Sequence, residues 1–176
     1  MTANGRTVAP TNCDRAAANI DTWKTIAVGG YRSSIALHDA LMERGIHVGD
    51  LAGQMLRLPA FKLTSARANI ELSLIAVSQL VGGSNRASFA AIHAHAIEAG
   101  FDLCSAEAGP QLRLQYPEQR LGEYLVMGMK PLPTADGSDA CFVVGNGGTG
   151  LIIVGRSAGP DAMIASRSRF VFALHR

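Results

Sequence analysis

The residue pattern changes near Phe101, and that change restricts the possible folds more than any other feature of this chain. Before it, apolar residues recur at helical spacing; after it, short β-branched and aromatic runs alternate with glycine-rich turns. Helices that precede strands, instead of alternating with them, are typical of α+β proteins. We therefore expect about three helices in the N-terminal half, packed on one face of a largely antiparallel sheet formed mainly by the C-terminal half.

Helix start and stop signals predict helices over 34–44, 50–58 and 85–99. The predicted caps are Ser33 or Ser34, Asp50 and Asn85. The apolar stripes expected to face the core are Ile35, Leu37, Leu41 and Met42 on the first helix, and Phe89, Ile92, Ala96 and Ile97 on the third. The segment 23–28 predicts a short strand, and the run 70–80 favours a buried strand over a buried helix.

Five runs beyond Phe101 predict strands, over 111–116, 123–129, 141–145, 151–154 and 168–174. Their connections are short. Residues 117–121 can form a turn, Asp136-Gly137 is a turn signal, and Asn146-Gly147 is a strong signal for a two-residue hairpin. These runs therefore predict an antiparallel meander.

Residues 1–22 are small and polar without periodicity and predict a flexible leader, and 23–176 suit a single domain. Three cysteines, Cys13, Cys104 and Cys141, cannot all pair within one chain, and no secretory signal or membrane-length apolar run is present. We expect a cytoplasmic protein with reduced thiols and no membrane partner. A net charge of +2 without clustered cations makes nucleic-acid binding a minority interpretation.

Two motif matches have contexts that argue against their usual chemistry. The glycines of 145–150 have the spacing of a dinucleotide-binding loop, but the following LIIV predicts a strand where that loop needs a helix. Residues 155–159 match a nucleophile elbow, with Asp161 and His175 in the expected order. Only nineteen residues follow Ser157, too few for the elements that hold the other triad members.

The segment 103–119, LCSAEAGPQLRLQYPEQ, has the densest chemistry of the chain. As a strand, its alternation would place Gln111, Arg113 and Gln115 on a polar wall and Leu112, Leu114 and Tyr116 on a buried side. We predict ligand binding by Gln111, Arg113, Gln115 and Tyr116.

Three residues are candidates for catalysis: Cys104 as a nucleophile, Glu107 as an acid or base, and His93 as a helical base. Each also has a structural interpretation. Cys104 can be a small buried hydrophobe, Glu107 can bond backbone amides, and His93 can border the core. Arg113 can form an ion pair with Glu107 or Glu123. His93 and His95 lie about 200° apart on a helix and cannot close on one ion, so we expect no metal and no cofactor.

The segments LCSAEAGPQLRLQY, GEYLVMGM and FVFALHR give the chain from Trp23 onward a resemblance to a group of uncharacterised bacterial proteins. Such proteins occur among mobile elements, including integron gene cassettes. The resemblance implies no established activity, cofactor or catalytic residue.

The sequence as a whole predicts a domain that binds a small molecule or a protein partner and forms a homodimer. Short β-rich segments with few charges leave apolar surface and a sheet edge to cover, which favours self-association. The first alternative is a small hydrolase or transferase that uses Cys104 or Glu107 with a helical histidine. The second alternative is nucleic-acid binding.

Overall fold

A computed structural model describes residues 21–82 and 85–174 of the 176-residue chain. Most of the predicted leader, together with Cys13 and His175, lies outside the described residues. The elements follow one another as β1 (Lys24–Val28), α1 (Ser34–Glu43), β2 (His47–Val48), α2 (Asp50–Arg57), β3 (Ala68–Ala76), α3 (Val77–Val81), β4 (Arg86–Ser88), α4 (Phe89–Glu98), β5 (Phe101–Asp102), α5 (Ala108–Gln115), β6 (Tyr124–Met127), β7 (Leu132–Pro133), β8 (Asp139–Gly147), β9 (Gly150–Ser157), β10 (Met163–Ala165) and β11 (Arg169–Leu174).

The described strands form one large, mostly antiparallel sheet and one small one. The large sheet has the order β1-β3-β11-β6-β8-β9-β2, with β5 beside β11 and β7 beside β8, and the small sheet pairs β10 with β4. Two pairs, β11 with β6 and β2 with β9, are parallel. The sheet curls, because α5 contacts β1 at one end of this order and β8 and β9 near the other. The mixed α and β architecture with a mainly antiparallel sheet is as expected.

Helices cover both faces of the sheet, so the expectation of a single covered face is wrong. Phe170, Val126 and Val143 pair across three neighbouring strands and share a face. On that face Phe89 of α4 meets Phe170, with ring centroids 5.8 Å apart. Phe142 precedes Val143 and therefore faces the other way, toward α5. Consecutive strand residues point to opposite faces of the sheet, so the apolar run FVF in β11 exposes hydrocarbon on both faces. Both faces must therefore be covered by other elements.

The helix α5 is the central element of the core, and it replaces the strand predicted over 111–116. Every residue from Ala108 to Leu114 is buried. The helix lies close to the sheet, because a Cβ on Gly109 would lie 2.9 Å from Cβ of Phe142. A buried helix has no solvent-exposed face, so its sequence lacks the apolar stripe by which helices are recognised.

The other helix predictions hold with local corrections. The structure has α1, α2 and α4 where helices are expected, and it adds α3 and α5, so the described residues contain five helices and not three. Ser33 caps α1 as expected. The caps of α2 and α4 are Gly49 and Ser88, and not Asp50 and Asn85. Three residues assigned to inward stripes are instead exposed: Ile35, Met42 and Ile97.

The large sheet takes three of its nine strands from the N-terminal half and six from the C-terminal half, which therefore forms most of it. The strands β1 and β3 supply one edge, and β2 is the other. The hairpin between β8 and β9 is confirmed, but its two turn residues are Gly148 and Thr149, because Gly147 pairs with Gly150. Within the described ranges, no helix is long and apolar enough to cross a membrane.

Candidate ligand-binding site

Three polar side chains form a ladder along one side of α5. Glu107, Gln111 and Gln115 follow one another at a spacing of four residues, which places them on one side of a helix. The Gln111 side-chain amide donates to Oε1 of Glu107 at 2.8 Å. The Gln115 amide donates to the backbone carbonyl of Gln111 at 3.2 Å. All three residues were expected to lie in or near a polar pocket, and the ladder instead binds protein backbone.

The ladder satisfies the backbone at the outer side of β1, the edge strand of the sheet. The N–H of Ala27 donates to Oε1 of Gln115 at 2.9 Å, and the Gln115 amide returns a bond to the Ala27 carbonyl at 2.8 Å. The N–H of Gly29 donates to Oε1 of Glu107 at 2.8 Å. A second backbone donor, the N–H of Thr64, reaches Oε2 of Glu107 at 2.6 Å. The side chains of α5 thus take the place of a neighbouring strand.

Glu107 therefore has the structural role that the sequence left open, since it bonds backbone amides. Its side chain is fully buried and accepts three hydrogen bonds from three segments of the chain. A carboxylate used in this way is held in one position and has no contact with solvent.

Arg113 lies on the opposite side of α5, about 200° around the helix from Gln111. It is fully buried, and its guanidinium donates to Oε1 of Gln119 and to the carbonyls of Tyr116 and Gly145, the last at 2.9 Å. Its Nε has no hydrogen-bond partner. Burial lowers the pKa of Arg113 to about 10, against the opposing effect of nearby Tyr116 and acidic groups.

The ion pair expected between Arg113 and Glu107 or Glu123 is not formed in the structure. Glu107 lies across the helix, and Glu123 pairs with Arg169 instead, at 2.7 Å. Arg113 is consequently a buried cation whose hydrogen-bond partners are neutral groups. Glu123 still attracts it electrostatically without direct contact.

Cys104 lies just before α5, and its environment suppresses thiol reactivity. The residue is 4% exposed, and its Sγ lies 3.5 Å from the carbonyl oxygen of Val171. Burial raises the pKa of the Cys104 thiol to about 12, so the thiolate is absent at neutral pH. Cys104 lines a cavity of about 530 Å³, which we call the Cys104 pocket; its other lining residues are Ala60, Lys62, Ser105, Ala106, Lys130, Pro131, Leu132 and Pro133.

His93 packs among aromatic rings on the other face of the sheet. Its ring centroid lies 4.4 Å from that of Phe89 and 6.1 Å from that of Phe172. Burial lowers its pKa to about 4, and Nε2 has no hydrogen-bond partner. Neither His93 nor Glu107 lines the Cys104 pocket. The structure therefore does not bring the three catalytic candidates together in that cavity.

Tyr116, one of the predicted ligand-binding residues, lines a cavity. It ends α5 and opens onto a cleft of about 410 Å³, which we call the Tyr116 cleft. The other residues that line this cleft are Trp23, Leu74, Arg120, Leu121, Gly122, Glu123 and Arg169. Residues of β3 and β11 meet Tyr116 there, together with residues of the segments that precede β1 and β6.

A hydrogen-bonded chain of three side chains forms the polar wall of the Tyr116 cleft. The Tyr116 hydroxyl donates to Oε2 of Glu123 at 2.9 Å, and Nη2 of Arg169 donates to Oε1 of the same carboxylate at 2.7 Å. The pKa of Tyr116 is raised, first by burial and then by the hydrogen bond to Glu123. Tyr116 therefore stays a neutral hydroxyl in the physiological range.

Aromatic and cationic groups surround this wall. The ring of Trp23 meets that of Tyr116 edge to face, with centroids 5.2 Å apart. The Lys24 ammonium lies 4.7 Å from the Tyr116 ring centroid and pairs with Glu118 at 2.7 Å. Arg120 lines the cleft, is exposed, and has no ion pair among the described residues.

The structure supports the rejection of both motif matches. Residues 145–150 form the tip of the hairpin between β8 and β9. Residues 155–157 are the last three of β9, and the next element is the strand β10 instead of the helix that follows a nucleophile elbow. No group of three potential metal ligands occurs in the ranges that the structure describes. His95 instead lies 3.4 Å from the carboxylate of Glu98.

The sequence did not predict the four other aromatic or charged residues of the Tyr116 cleft as site residues: Trp23, Arg120, Glu123 and Arg169. They are up to 146 positions apart, and only the folding of β1, β6 and β11 around α5 brings them together. The four-residue spacing of Glu107, Gln111 and Gln115 was the available signal that this segment is a helix. Comparison of the chain with protein-family models, curated proteins and solved structures finds no match.

Proposed function

We propose that this protein binds a small, polar organic anion in the Tyr116 cleft. The observation that supports the proposal is the convergence of Arg120, Arg169, Glu123, Tyr116 and Trp23 on one cavity of about 410 Å³. A cavity of this volume falls within the range of about 300–1,000 Å³ that small-molecule sites occupy.

Charge favours an anion. The lining contains two arginines and one glutamate, so its formal charge is +1. Arg113 adds a buried positive charge behind the Tyr116 end of the cleft. Glu123 uses one oxygen for Tyr116 and one for Arg169, and this holds the Arg169 guanidinium at the cleft while its side chain stays 43% exposed. A carboxylate or phosphate group is the partner that such guanidinium forks bind best.

The apolar part of the lining limits the rest of the ligand. Trp23 and Tyr116 present aromatic surface beside the polar wall, and Leu121, which is 76% exposed, extends it at the mouth of the cleft. A planar or short aliphatic body can pack on these side chains while its acidic group reaches the arginines. We infer an organic acid or phosphate ester and not an inorganic anion.

Titration calorimetry with benzoate, citrate and phenyl phosphate tests this function, with inorganic phosphate as the comparison. We expect at least one of the three organic anions to bind and Arg120→Gln to weaken that binding about 10-fold, the effect of losing one hydrogen bond to a charged group. Arg32→Gln is the matched control, because Arg32 is also exposed but lies outside the cleft. Equal binding by both variants would contradict the proposal.

Self-association into a homodimer and binding of a protein partner stay predictions. Gln115 and Glu107 cover part of the β1 edge, and β2 at the opposite edge has two residues, so little open sheet edge supports a dimer. The exposed apolar residues Leu121 and Tyr124 are the surface that favours association. Light scattering of the wild type and of Leu121→Ser measures it directly.

A further inference from the structure

We propose a second binding site at the other end of α5, in the Cys104 pocket, for a carboxylic acid with an apolar body. The site is independent of the Tyr116 cleft: Cys104 and Ala106 precede the helix, whereas Tyr116 follows it. The helix spans eight residues, or about 12 Å, so the two cavities open at opposite ends of the core.

The lining of the Cys104 pocket combines an apolar wall with two cations. Ala106, Pro131 and Leu132 supply hydrocarbon surface to a cavity of about 530 Å³. Leu132 is 6% exposed and belongs to the core, so the inner wall is rigid. Lys62 and Lys130 are exposed residues of the same lining, which contains no acidic residue.

The two lysines lack the carboxylate partner that Lys24, the third lysine of the chain, has. Neither Lys62 nor Lys130 forms a salt bridge within the described ranges, whereas Lys24 pairs with Glu118 at 2.7 Å. Two uncompensated ammonium groups beside one apolar cavity attract a negative charge. Long lysine stems can also lie along an apolar ligand while the ammonium group binds its acidic end.

Cys104 contributes an uncharged surface to this cavity. Its thiol stays protonated at neutral pH because burial raises the pKa to about 12, so it does not repel an anion. Sulfur is polarisable and packs well against hydrocarbon. The sequence suggested Cys104 as a nucleophile; here it is part of the wall that contacts the ligand.

The chemistry of the lining selects the ligand class. The pocket contains no arginine, so it has no guanidinium group that could bind a phosphate through two hydrogen bonds. Its walls also offer few hydrogen-bond donors to a sugar or a nucleobase. An aliphatic or aromatic chain that ends in one carboxylate satisfies both the apolar wall and the two ammonium groups. Medium-chain acids have this form, and decanoate is a suitable probe.

Titration calorimetry of the full chain with decanoate and with decanol tests the proposal. We expect decanoate to bind, decanol to bind at least about 10-fold more weakly, and the double variant Lys62→Gln/Lys130→Gln to lose about 10-fold in decanoate affinity. Both lysines are exposed, so circular dichroism should show a folded variant with an unchanged melting temperature. Arg120→Gln, in the Tyr116 cleft, is the matched control and should bind decanoate as the wild type does.

A second variant tests the cavity itself. Ala60 is exposed at the rim of the pocket, so Ala60→Trp adds bulk without entering the core, and it should abolish decanoate binding. The proposal is overturned if millimolar decanoate gives no binding heat, if the lysine variant binds as tightly as the wild type, or if Arg120→Gln weakens binding as much as the lysine variant does. The last result would place the acid in the Tyr116 cleft.

Discussion

Replacing Glu107 by alanine should destabilise the fold more than any other single change in the polar ladder of α5. The substitution leaves two backbone N–H groups, of Gly29 and Thr64, and the Gln111 amide without their acceptor. An unsatisfied buried donor costs about 1–3 kcal/mol, and Gly29 and Thr64 are only partly buried, so for these three donors we expect a total loss of about 4 kcal/mol from the free energy of unfolding. For a domain of this size that corresponds to a fall of about 8–16 °C in melting temperature.

The isosteric substitution Glu107→Gln separates the hydrogen bonds from the shape of the side chain. A glutamine oxygen can keep the bonds from Gly29 and Gln111, but its NH₂ group then meets the N–H of Thr64, donor against donor. We expect about half of the alanine effect, or about 2 kcal/mol.

Urea denaturation followed by circular dichroism measures both losses. Glu118→Ala is the control, because the Glu118 side chain is 61% exposed and its solvent-screened pair with Lys24 should contribute little to stability. If Glu107→Ala unfolds at the same urea concentration as this control, the carboxylate does not hold β1, the loop at Thr64 and α5 together, and the structural role assigned to Glu107 is wrong.

Further predictions concern the thiol, the helix contact and the histidine. Cys104 should react with iodoacetamide only after denaturation, because burial raises its pKa to about 12; fast labelling of the native protein at pH 7 would contradict this. Gly109→Ala should cost about 1–3 kcal/mol through collision with Phe142, measured by urea midpoint, whereas Gly148→Ala, with open space around it, should cost far less. The pKa of His93 is about 4 in the folded protein and 6.5 in the unfolded chain. Above pH 6.5 His93 is neutral in both states and does not affect stability. Between pH 6.5 and pH 4 the unfolded chain is protonated first, so the free energy of unfolding decreases as the pH falls. His93→Leu should therefore lose less stability than the wild type between pH 7 and pH 5.

The predicted helices α1, α2 and α4 were identifiable because local signals determine where they begin and end. Ser33 accepts a hydrogen bond from the N–H of Ala36, which is a contact within one turn. Gly45 and Gly100 follow the ends of α1 and α4 with positive φ, as left-handed residues after a helix do. Such features depend on a few neighbouring residues, so the sequence contains them in full.

The segment of α5 was misinterpreted because its neighbours, and not its local pattern, determine its conformation. Polar and apolar residues alternate from Gln111 to Tyr116, as they do in a half-buried strand, yet each polar side chain has hydrogen-bond partners inside the protein. Arg113 reaches the carbonyl of Gly145, and Gln115 reaches the backbone of Ala27. Burial of the whole helix becomes possible only when distant backbone provides these partners.

The sequence by itself determined the class of fold, three of the five described helices and most of the strands in the second half, because periodicity, caps and turn residues act over a few positions. It also offered backbone bonding as a role for Glu107 and a buried thiol as a role for Cys104. Only the tertiary structure decided that the sheet curls around α5 and that Trp23, Tyr116, Glu123 and Arg169 share a cleft. The physical reason is distance along the chain. Two residues that are far apart in sequence come into contact only when packing of the core fixes which strands are neighbours.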